Sequence, residues 1–274
     1  MPLIRGVLSL LERSRPSNVD VAVVGDITVR VHRPSSEGPH PAMLWIHGGG
    51  MVVGTAAQDD KLCRYFADTT QCVVVAVNYR LAPEHRFPVP LEDCYRALEW
   101  LADRSEVDSD RVAIGGASAG GGLAAALALL VEQRGLLSPV LQLLVYPMLD
   151  DRTVLRADPD DAQRRLWNNR ANAFGWSSYT GLAPGAAQVS SLAAPARHED
   201  LEGVAPAWIG VGTLDLFHDE DTAYAERLRA AGVPCELEVI EGAFHGFDGV
   251  VSKSEVSRAF HAEQARALAD AFAR

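Results

Sequence analysis

Ser118 has the sequence context of an activated nucleophile, within the stretch "VAIGGASAGGGLAAALALL" at residues 112–130. The residues before it suit a buried strand, and the small residues after it suit a helix. Glycines at 116 and 120 either let that helix pack closely on the sheet or permit a turn too sharp for side chains. Because the GxSxG pattern lies between a predicted strand and a predicted helix, it favours a nucleophile elbow with an exposed hydroxyl.

A serine hydroxyl needs a general base, and the base needs an acid that orients it. Asp215 follows the predicted strand in "AWIGVGTLD", and His245 follows the last predicted strand in "ELEVIEGAFHGF". Both lie beyond the carboxyl ends of strands, where α/β sheets build their sites. The order serine, acid, histidine therefore predicts a triad in which Ser118 attacks, His245 is the base and Asp215 orients it.

Other acids and histidines fit structural roles better. Asp219 and Asp221 open the next predicted helix, where carboxylates cap free backbone N–H groups. None of the remaining candidates follows a strand, so we expect solvated side chains at His198, His218 and His261.

A second glycine-rich stretch, "HGGGMVVG" at residues 47–54, follows the predicted strand "AMLWIH". Its spacing matches neither GxGxxG nor GxxxxGK[ST], so it carries no nucleotide-binding fingerprint. Backbone N–H groups in such a loop can hold a developing oxyanion. We predict that Gly48 and Gly49 do so together with Ala119, which follows the nucleophile.

Strand-length apolar runs alternate with helical patterns along the chain, which is typical of a mostly parallel sheet covered on both faces. Two alternating segments, "VDVAVVG" and "ITVRVHRP", predict an antiparallel hairpin at one edge. The further strands are "AMLWIH", "CVVVAVN", "RVAIGG", "LQLLVY", "AWIGVG" and "ELEVIE". Helices are predicted at about 58–69, 90–103, 118–134, 219–231 and 254–273, which gives an eight-stranded α/β fold.

The segment from Leu149 to Leu201 contains no clear strand and exceeds an ordinary connection. It is either an irregular excursion with a small core of its own or a lid whose aromatic side chains wall the site. The aromatics favour the lid, and they are Trp167, Phe174, Trp176 and Tyr179. We therefore predict one domain, residues 1–274, with a cap built from about 1–18 and 150–200.

Composition excludes several classes of partner. A formal net charge of −11 over 274 residues argues against nucleic acid, since phosphate binding needs clustered Lys and Arg. The cysteines are widely spaced and predict neither a zinc site nor disulfides. The apolar stretch near Arg5 and Glu12 is too short for a signal peptide or a membrane span, so we expect a cytoplasmic protein without a membrane partner.

Several motifs together resemble the hormone-sensitive lipase family of α/β-hydrolase carboxylesterases, in its bacterial form, from about Ala42 onward. They are "HGGG", "NYRLAPEHRFPVPLEDCYRALEWL", "GASAG", "YPMLDDRT", "TLDLFHDE" and "HGF". The resemblance implies an α/β-hydrolase fold and the same six site residues, which are Ser118, Asp215, His245, Gly48, Gly49 and Ala119. It also implies no metal or cofactor, and hydrolysis of esters with short to medium acyl chains. The triple-glycine loop of relatives is associated with tolerance for bulky alcohols.

Two features depart from that family. Ala117 stands where relatives usually carry an acidic or hydroxyl residue, which removes a polar side chain able to brace the elbow. The first strand begins near Val19, whereas relatives usually have a longer N-terminal helical segment, so we expect a thinner lid and a more open pocket. The resemblance also suggests buried support for the site from Arg80, Glu84 and His85.

Other functions remain open at this point. The same triad serves amidases, thioesterases and acyltransferases. A non-catalytic ligand-binding relative would keep the pocket but lose the base, and His245 in "AFHGF" disfavours it. A lipase acting at oil surfaces is disfavoured because the lid lacks a long apolar stretch. The last strand, "CELEVIE", predicts a homodimer, since exposed strand edges invite pairing.

Overall fold

A computed structural model describes residues 18–157 and 164–274 of the chain. One sheet of eight strands forms its centre, in the order β1-β2-β4-β3-β5-β6-β7-β8. The strands are β1 (Asp20–Val24), β2 (Ile27–His32), β3 (His40–Ile46), β4 (Val73–Asn78), β5 (Val107–Ala117), β6 (Leu141–Val145), β7 (Ala207–Gly212) and β8 (Cys235–Ile240). The predicted eight-stranded α/β-hydrolase fold is confirmed.

Strand pairing follows the apolar pattern of the sequence. β1 pairs with β2 antiparallel, as predicted for the alternating segments, and β2 pairs with β4 antiparallel. All other pairs, from β4 through β3 to β8, are parallel. The carboxyl ends of the parallel strands consequently share one edge of the sheet, and the predicted site residues follow those ends.

Helices cover both faces of the sheet. They are α1 (Asp60–Thr70), α2 (Val89–Ala102), α3 (Ala119–Arg134), α4 (Asn169–Thr180), α5 (His218–Ala230), α6 (Phe247–Val250) and α7 (Glu255–Phe272). The region 149–201 contains α4 and short 3₁₀ turns at Asp151–Leu155 and Pro195–Arg197, and no strand within its described residues. Residues 1–17, which include most of the first predicted cap segment, Arg5 and Glu12, lie outside the described residues.

The core lies in two layers, one on each face of the sheet. Helices α2, α3 and α5 pack on one face, whereas α1 and α7 pack on the other. Helix α3 is buried on all sides from Ala119 to Val131, which explains its run of small and aliphatic residues. This rigid centre fixes the position of the turn at Ser118.

Two sequence predictions concerned disulfide bonds and membrane-spanning segments. Cys63, Cys72 and Cys94 are buried, Cys235 is half-buried on β8, and all are free thiols. Within residues 18–157 and 164–274, no helix has the length and apolarity needed to cross a bilayer.

Candidate active site

The backbone at Ser118 is strained and firmly held. Its φ of 57° and ψ of −120° lie where non-glycine residues are seldom found. The Ser118 N–H donates to the carbonyl of Val145 at 2.9 Å, and its carbonyl accepts from the N–H of Met148 at 2.9 Å. These bonds to the end of β6 hold the turn that projects the hydroxyl.

The flanking glycines serve both purposes that the sequence left open. A Cβ at Gly116 would lie 2.5 Å from the carbonyl carbon and oxygen of Gly120 and from the Ile46 oxygen. A Cβ at Gly120 would lie 2.0 Å from the Ile46 oxygen. Because backbone cannot move aside as a side chain can, the sharp turn and the close packing of α3 on β3 both require glycine.

The structure brings the three predicted triad residues together. His245 Nε2 lies 2.9 Å from Ser118 Oγ, and His245 Nδ1 lies 2.8 Å from Asp215 Oδ2. The second carboxylate oxygen, Asp215 Oδ1, accepts the N–H of Phe217 at 3.0 Å. All three side chains are buried. The geometry is that of a serine nucleophile, an imidazole base and a carboxylate that fixes the imidazole orientation.

Aromatic rings surround the imidazole of His245. Tyr146 lies with its ring centroid 4.9 Å away and inclined by 64°, and Phe217 lies 5.2 Å away at 89°. Trp167 lies 6.5 Å away. Sequence reasoning missed Tyr146 and Phe217, although Tyr146 immediately follows a strand, the signal that identified Asp215 and His245.

The glycine loop after β3 passes beside the nucleophile. A Cβ at Gly48 would lie 2.9 Å from the Ala117 oxygen and 3.4 Å from Ser118 Cβ. Gly49 has a φ of +125°, and its carbonyl accepts the N–H groups of Val52 and Val53. Within the described residues, the N–H groups of Gly48, Gly49 and Ala119 donate to no acceptor. The arrangement leaves these donors free beside Ser118.

His47 and Tyr79 support this loop, and sequence reasoning did not identify either role. Their rings stack at 4.3 Å, and Tyr79 donates its hydroxyl to the carbonyl of His47 at 3.0 Å. Burial lowers the pKa of His47 to about 4. The neutral ring then donates from Nδ1 to the Gly48 carbonyl, at 2.8 Å, which fixes the loop backbone.

Trp167 and helix α4 cover the glycine loop. A Cβ at Gly50 would lie 2.1 Å from the Trp167 ring, and one at Gly175 would lie 3.0 Å from the Gly50 oxygen. Trp167 Nε1 donates to Asn172 Oδ1 at 3.3 Å. Of the other aromatics predicted to wall the site, Trp176 and Tyr179 are buried in the core and Phe174 is exposed.

A cavity of about 640 Å³ lies on the Ala117 side of the elbow. Its lining includes Trp45, Asp59 and Tyr146. Asp59 Oδ2 accepts the indole N–H of Trp45 at 2.8 Å, and burial raises the pKa of Asp59 to about 7. Residue 117 thus has no polar side chain, but a carboxyl group from Asp59 lines the same cavity.

The acids predicted to cap α5 require a correction. The N-cap of α5 is Phe217, which makes no side-chain cap hydrogen bond. Asp219 is exposed, and its Oδ1 lies 3.0 Å from Nδ1 of His218. Asp221 is fully buried, and neither of its carboxylate oxygens has a hydrogen-bond partner among the described residues. The predicted capping role is therefore wrong for both residues.

The histidines predicted to be solvated also differ from expectation. His261 is half-buried, with Nε2 3.0 Å from Asp248 Oδ2. His198 and His218 are half-buried too, and His198 Nδ1 lies 3.0 Å from Ser191 Oγ. The sequence did not show these contacts because Asp248 lies on a different helix from His261 and Ser191 lies in an irregular segment.

The predicted buried support from the segment after β4 is correct only in part. Arg80 is half-buried and forms a two-pronged ion pair with the fully buried Asp93 of α2, at 2.7 and 2.9 Å. His85 is half-buried, but Glu84 is exposed. Arg80 therefore anchors the loop to α2, whereas Glu84 is not a buried residue.

Comparison with known proteins agrees with this geometry. Residues 43–249 match the model of a family with the alpha/beta hydrolase fold. Carboxylic ester hydrolase LipN of Mycobacterium tuberculosis is 35% identical over 81% of this chain, which spans 61% of the length of LipN. Ethyl acetate hydrolase of Pseudomonas putida is 35% identical, over 81% of this chain and 71% of its own.

A solved structure, bacterial heroin esterase, superposes with a TM-score of 0.89 at 35% identity, covering 99% of this chain and 92% of that one. The sheet order, the strained serine turn and these relatives all point to one assignment. The chain belongs to the hormone-sensitive lipase family of α/β-hydrolase carboxylesterases.

Proposed function

We propose that this chain hydrolyses carboxylic esters with short to medium acyl chains through an acyl-enzyme on Ser118. One observation carries the proposal: His245 bridges Ser118 Oγ, at 2.9 Å, and Asp215 Oδ2, at 2.8 Å. An imidazole held in this way can take the serine proton through one nitrogen while the carboxylate stabilises the charge at the other.

The reaction proceeds in two halves. Ser118 Oγ attacks the ester carbonyl as its proton passes to His245 Nε2, and the N–H groups of Gly48, Gly49 and Ala119 hold the resulting oxyanion. The C–O bond to the alcohol then breaks, and the alcohol leaves with the proton from His245. Water, deprotonated by His245, attacks the acyl-enzyme, and the acid is released as Ser118 regains its proton.

The packing around the glycine loop at residues 47–54 favours a substrate with a small acyl group. Trp167 and α4 pack directly on the glycine loop beside the predicted oxyanion site, which limits the space above it. One relative is named an ethyl acetate hydrolase, an activity on a short ester. We infer that the described part of residues 150–200 acts as the cap and selects the acyl chain.

The test is hydrolysis of p-nitrophenyl esters from acetate to palmitate by the wild type and by Ser118→Ala. We expect the highest kcat/KM on short chains and a loss of about 10⁶-fold in kcat in the variant. Ser36→Ala, which removes an exposed hydroxyl bonded to Gln71, is the control and should match the wild type.

Two outcomes contradict the proposal: full activity in Ser118→Ala, or no turnover of any ester by folded wild type. In the second case, anilides, thioesters and added alcohol acceptors distinguish an amidase, a thioesterase and an acyltransferase. Failure on all of these favours a non-catalytic ligand-binding protein.

We also propose a homodimer through β8 and a cytoplasmic location. β8 is an edge strand of the sheet, and its Val239 is 43% exposed. An exposed strand edge favours pairing with a second copy. Light scattering after size-exclusion chromatography tests this, and a monomer at micromolar concentration would rule it out. The free cysteines support a reducing compartment.

A further inference from the structure

The end of β6 and the residues after it form backbone hydrogen bonds with both the N–H and the carbonyl of Ser118. The carbonyl of Val145 accepts from the Ser118 N–H, and the N–H of Met148 donates to the Ser118 carbonyl, each at 2.9 Å. Between these two contacts lies Tyr146, whose φ of +36° is strained for a residue with a side chain. Its own N–H donates to the carbonyl of Gly210 on β7, at 2.7 Å. The backbone of Tyr146 is thus fixed relative to Ser118.

The side chain of Tyr146 reaches the segment that carries the base. Its ring packs against the imidazole of His245, and its hydroxyl donates to Asp248 Oδ1 at 2.7 Å. Asp248 lies on α6, three residues after His245. The other oxygen, Asp248 Oδ2, lies 3.0 Å from Nε2 of His261 on α7. A continuous chain of contacts therefore joins the serine turn to the histidine loop.

We propose that Tyr146 is a positioning residue that fixes the separation of Ser118 Oγ and His245 Nε2 through its bond to Asp248. This inference rests on the proposed esterase function. The hydrogen bond between Ser118 and His245 is lost whenever Ser118 is acylated, so it cannot hold the ring through the whole cycle. The bond from Tyr146 to Asp248 involves neither reacting atom, so acylation of Ser118 does not break it, and a displacement of about 1 Å in the Ser118–His245 pair costs about 10²-fold in rate.

A purely space-filling role does not explain the hydroxyl contact. Tyr179 and Tyr224 are equally buried, yet their hydroxyls have no hydrogen-bond partner among the described residues. Burial alone does not provide tyrosine hydroxyls with partners in this chain. At Tyr146 the partner is the carboxylate of Asp248, which lies on α6, the short helix that follows His245. Burial raises the pKa of Tyr146 well above its ordinary value, so the phenol keeps the proton that it donates.

The first pair of variants is Tyr146→Phe and Tyr224→Phe. Both keep a buried ring and remove one hydroxyl, but only the first breaks a bond to the histidine loop. We expect Tyr146→Phe to lower kcat about 10–100-fold with KM within about twofold, because the substrate contacts remain. Tyr224→Phe should keep the wild-type kcat.

Asp248 provides a rescue test. Asp248→Asn keeps an oxygen acceptor for the Tyr146 hydroxyl, so we expect kcat within about threefold of the wild type. Asp248→Ala removes the acceptor and should match Tyr146→Phe. Residues that act through one bond are not additive, so the double variant Tyr146→Phe/Asp248→Ala should lose no more than either single variant.

Two further measurements separate positioning from general damage to the fold. The rate at which a fluorophosphonate labels Ser118 should fall by the same factor as kcat, while the Tm of Tyr146→Phe stays within about 4 °C of the wild type. The proton resonance of His245 Nδ1–H, observed by NMR without substrate, should broaden in Tyr146→Phe and Asp248→Ala but not in Asp248→Asn.

The inference is overturned if Tyr146→Phe and Asp248→Ala keep wild-type kcat, labelling rate and proton resonance. It is also overturned if Tyr224→Phe lowers kcat as much as Tyr146→Phe does, or if the losses of kcat in the two single variants add in the double variant. Failure of the esterase proposal is distinguishable from this, since the wild type itself would then turn over no ester. The NMR comparison would still decide the role of Tyr146.

Discussion

Two aspartates six residues apart, Asp215 and Asp221, are both buried but differ in their partners. Asp215 is 2% exposed, and its two oxygens accept from the ring of His245 and from the N–H of Phe217. Asp221 is 0% exposed, and neither oxygen has a partner among the described residues. Burial raises the pKa of Asp221 well above its ordinary value, and the nearby Glu220 and Asp215 add to the shift.

The difference shows that burial alone does not place a carboxylate where it can orient an imidazole. A buried charge is stable only where hydrogen bonds or opposite charges replace its hydration. Asp215 has such partners and faces the base, so it can stabilise an imidazolium ion. Asp221 lacks them among the described residues, and its burial favours the uncharged form by raising its pKa.

The largest expected effect is on catalysis by Asp215→Asn. An amide at this position favours the wrong tautomer of His245, so we expect kcat to fall about 10⁴-fold. Steady-state kinetics on p-nitrophenyl acetate measures this, with thermal unfolding to confirm that the variant is folded. A loss below tenfold would show that Asp215 does not orient the base.

Glu220, between the two aspartates in sequence, is predicted to link stability to pH. It accepts the N–H groups of Leu149 and Asp150 and the hydroxyl of Thr153, yet burial still raises its pKa from 4.5 to about 8. A raised pKa in the folded state stabilises the fold fully below the unfolded value, and this contribution is lost as pH rises to the folded value.

We therefore expect the free energy of unfolding of the wild type to fall between about pH 4.5 and pH 8 through this group. Glu220→Gln cannot ionise, so urea unfolding of the variant should show a flatter profile, by about 1–3 kcal/mol over that range. Parallel profiles in the two proteins would contradict this linkage. The Asp219→Asn variant, altered at an exposed position, is the control.

The sequence predicted that Ser118, Asp215 and His245 come together, because each follows a strand and lies in a short local motif. The fold was predictable for the same reason, since strand-length apolar runs and helical patterns alternate clearly. Contacts between distant segments were not predictable. The bond from Tyr146 to Asp248 joins residues 102 positions apart, and no local pattern indicates it.

The misassignment of Asp221 has a different origin. The run "HDED" suggests a solvated helix start, but the buried residues of α5 form one stripe: Glu220, Asp221, Tyr224, Ala225 and Leu228. Tracing that stripe back from the apolar members would have placed both acids inside. No local pattern indicated a polar group near Ala117, because the carboxyl group that lines the same cavity belongs to Asp59, on another element.

The smallest expected effect is that of Asp221→Asn, which completes the comparison with Asp215. Because neither carboxylate oxygen of Asp221 bonds to a triad residue within the described part of the chain, the amide should leave kcat within about twofold of the wild type, against the 10⁴-fold loss at Asp215. Below the ordinary carboxyl pKa of 3.8, the stability of the two proteins should differ by less than about 1 kcal/mol, since one neutral buried group replaces another. As pH rises above that value, the free energy of unfolding of the wild type should fall relative to that of the variant, because the raised pKa of Asp221 makes this group ionise more readily in the unfolded chain. A large loss of kcat would mean that Asp221 acts on Asp215, and the two aspartates would then form one coupled site.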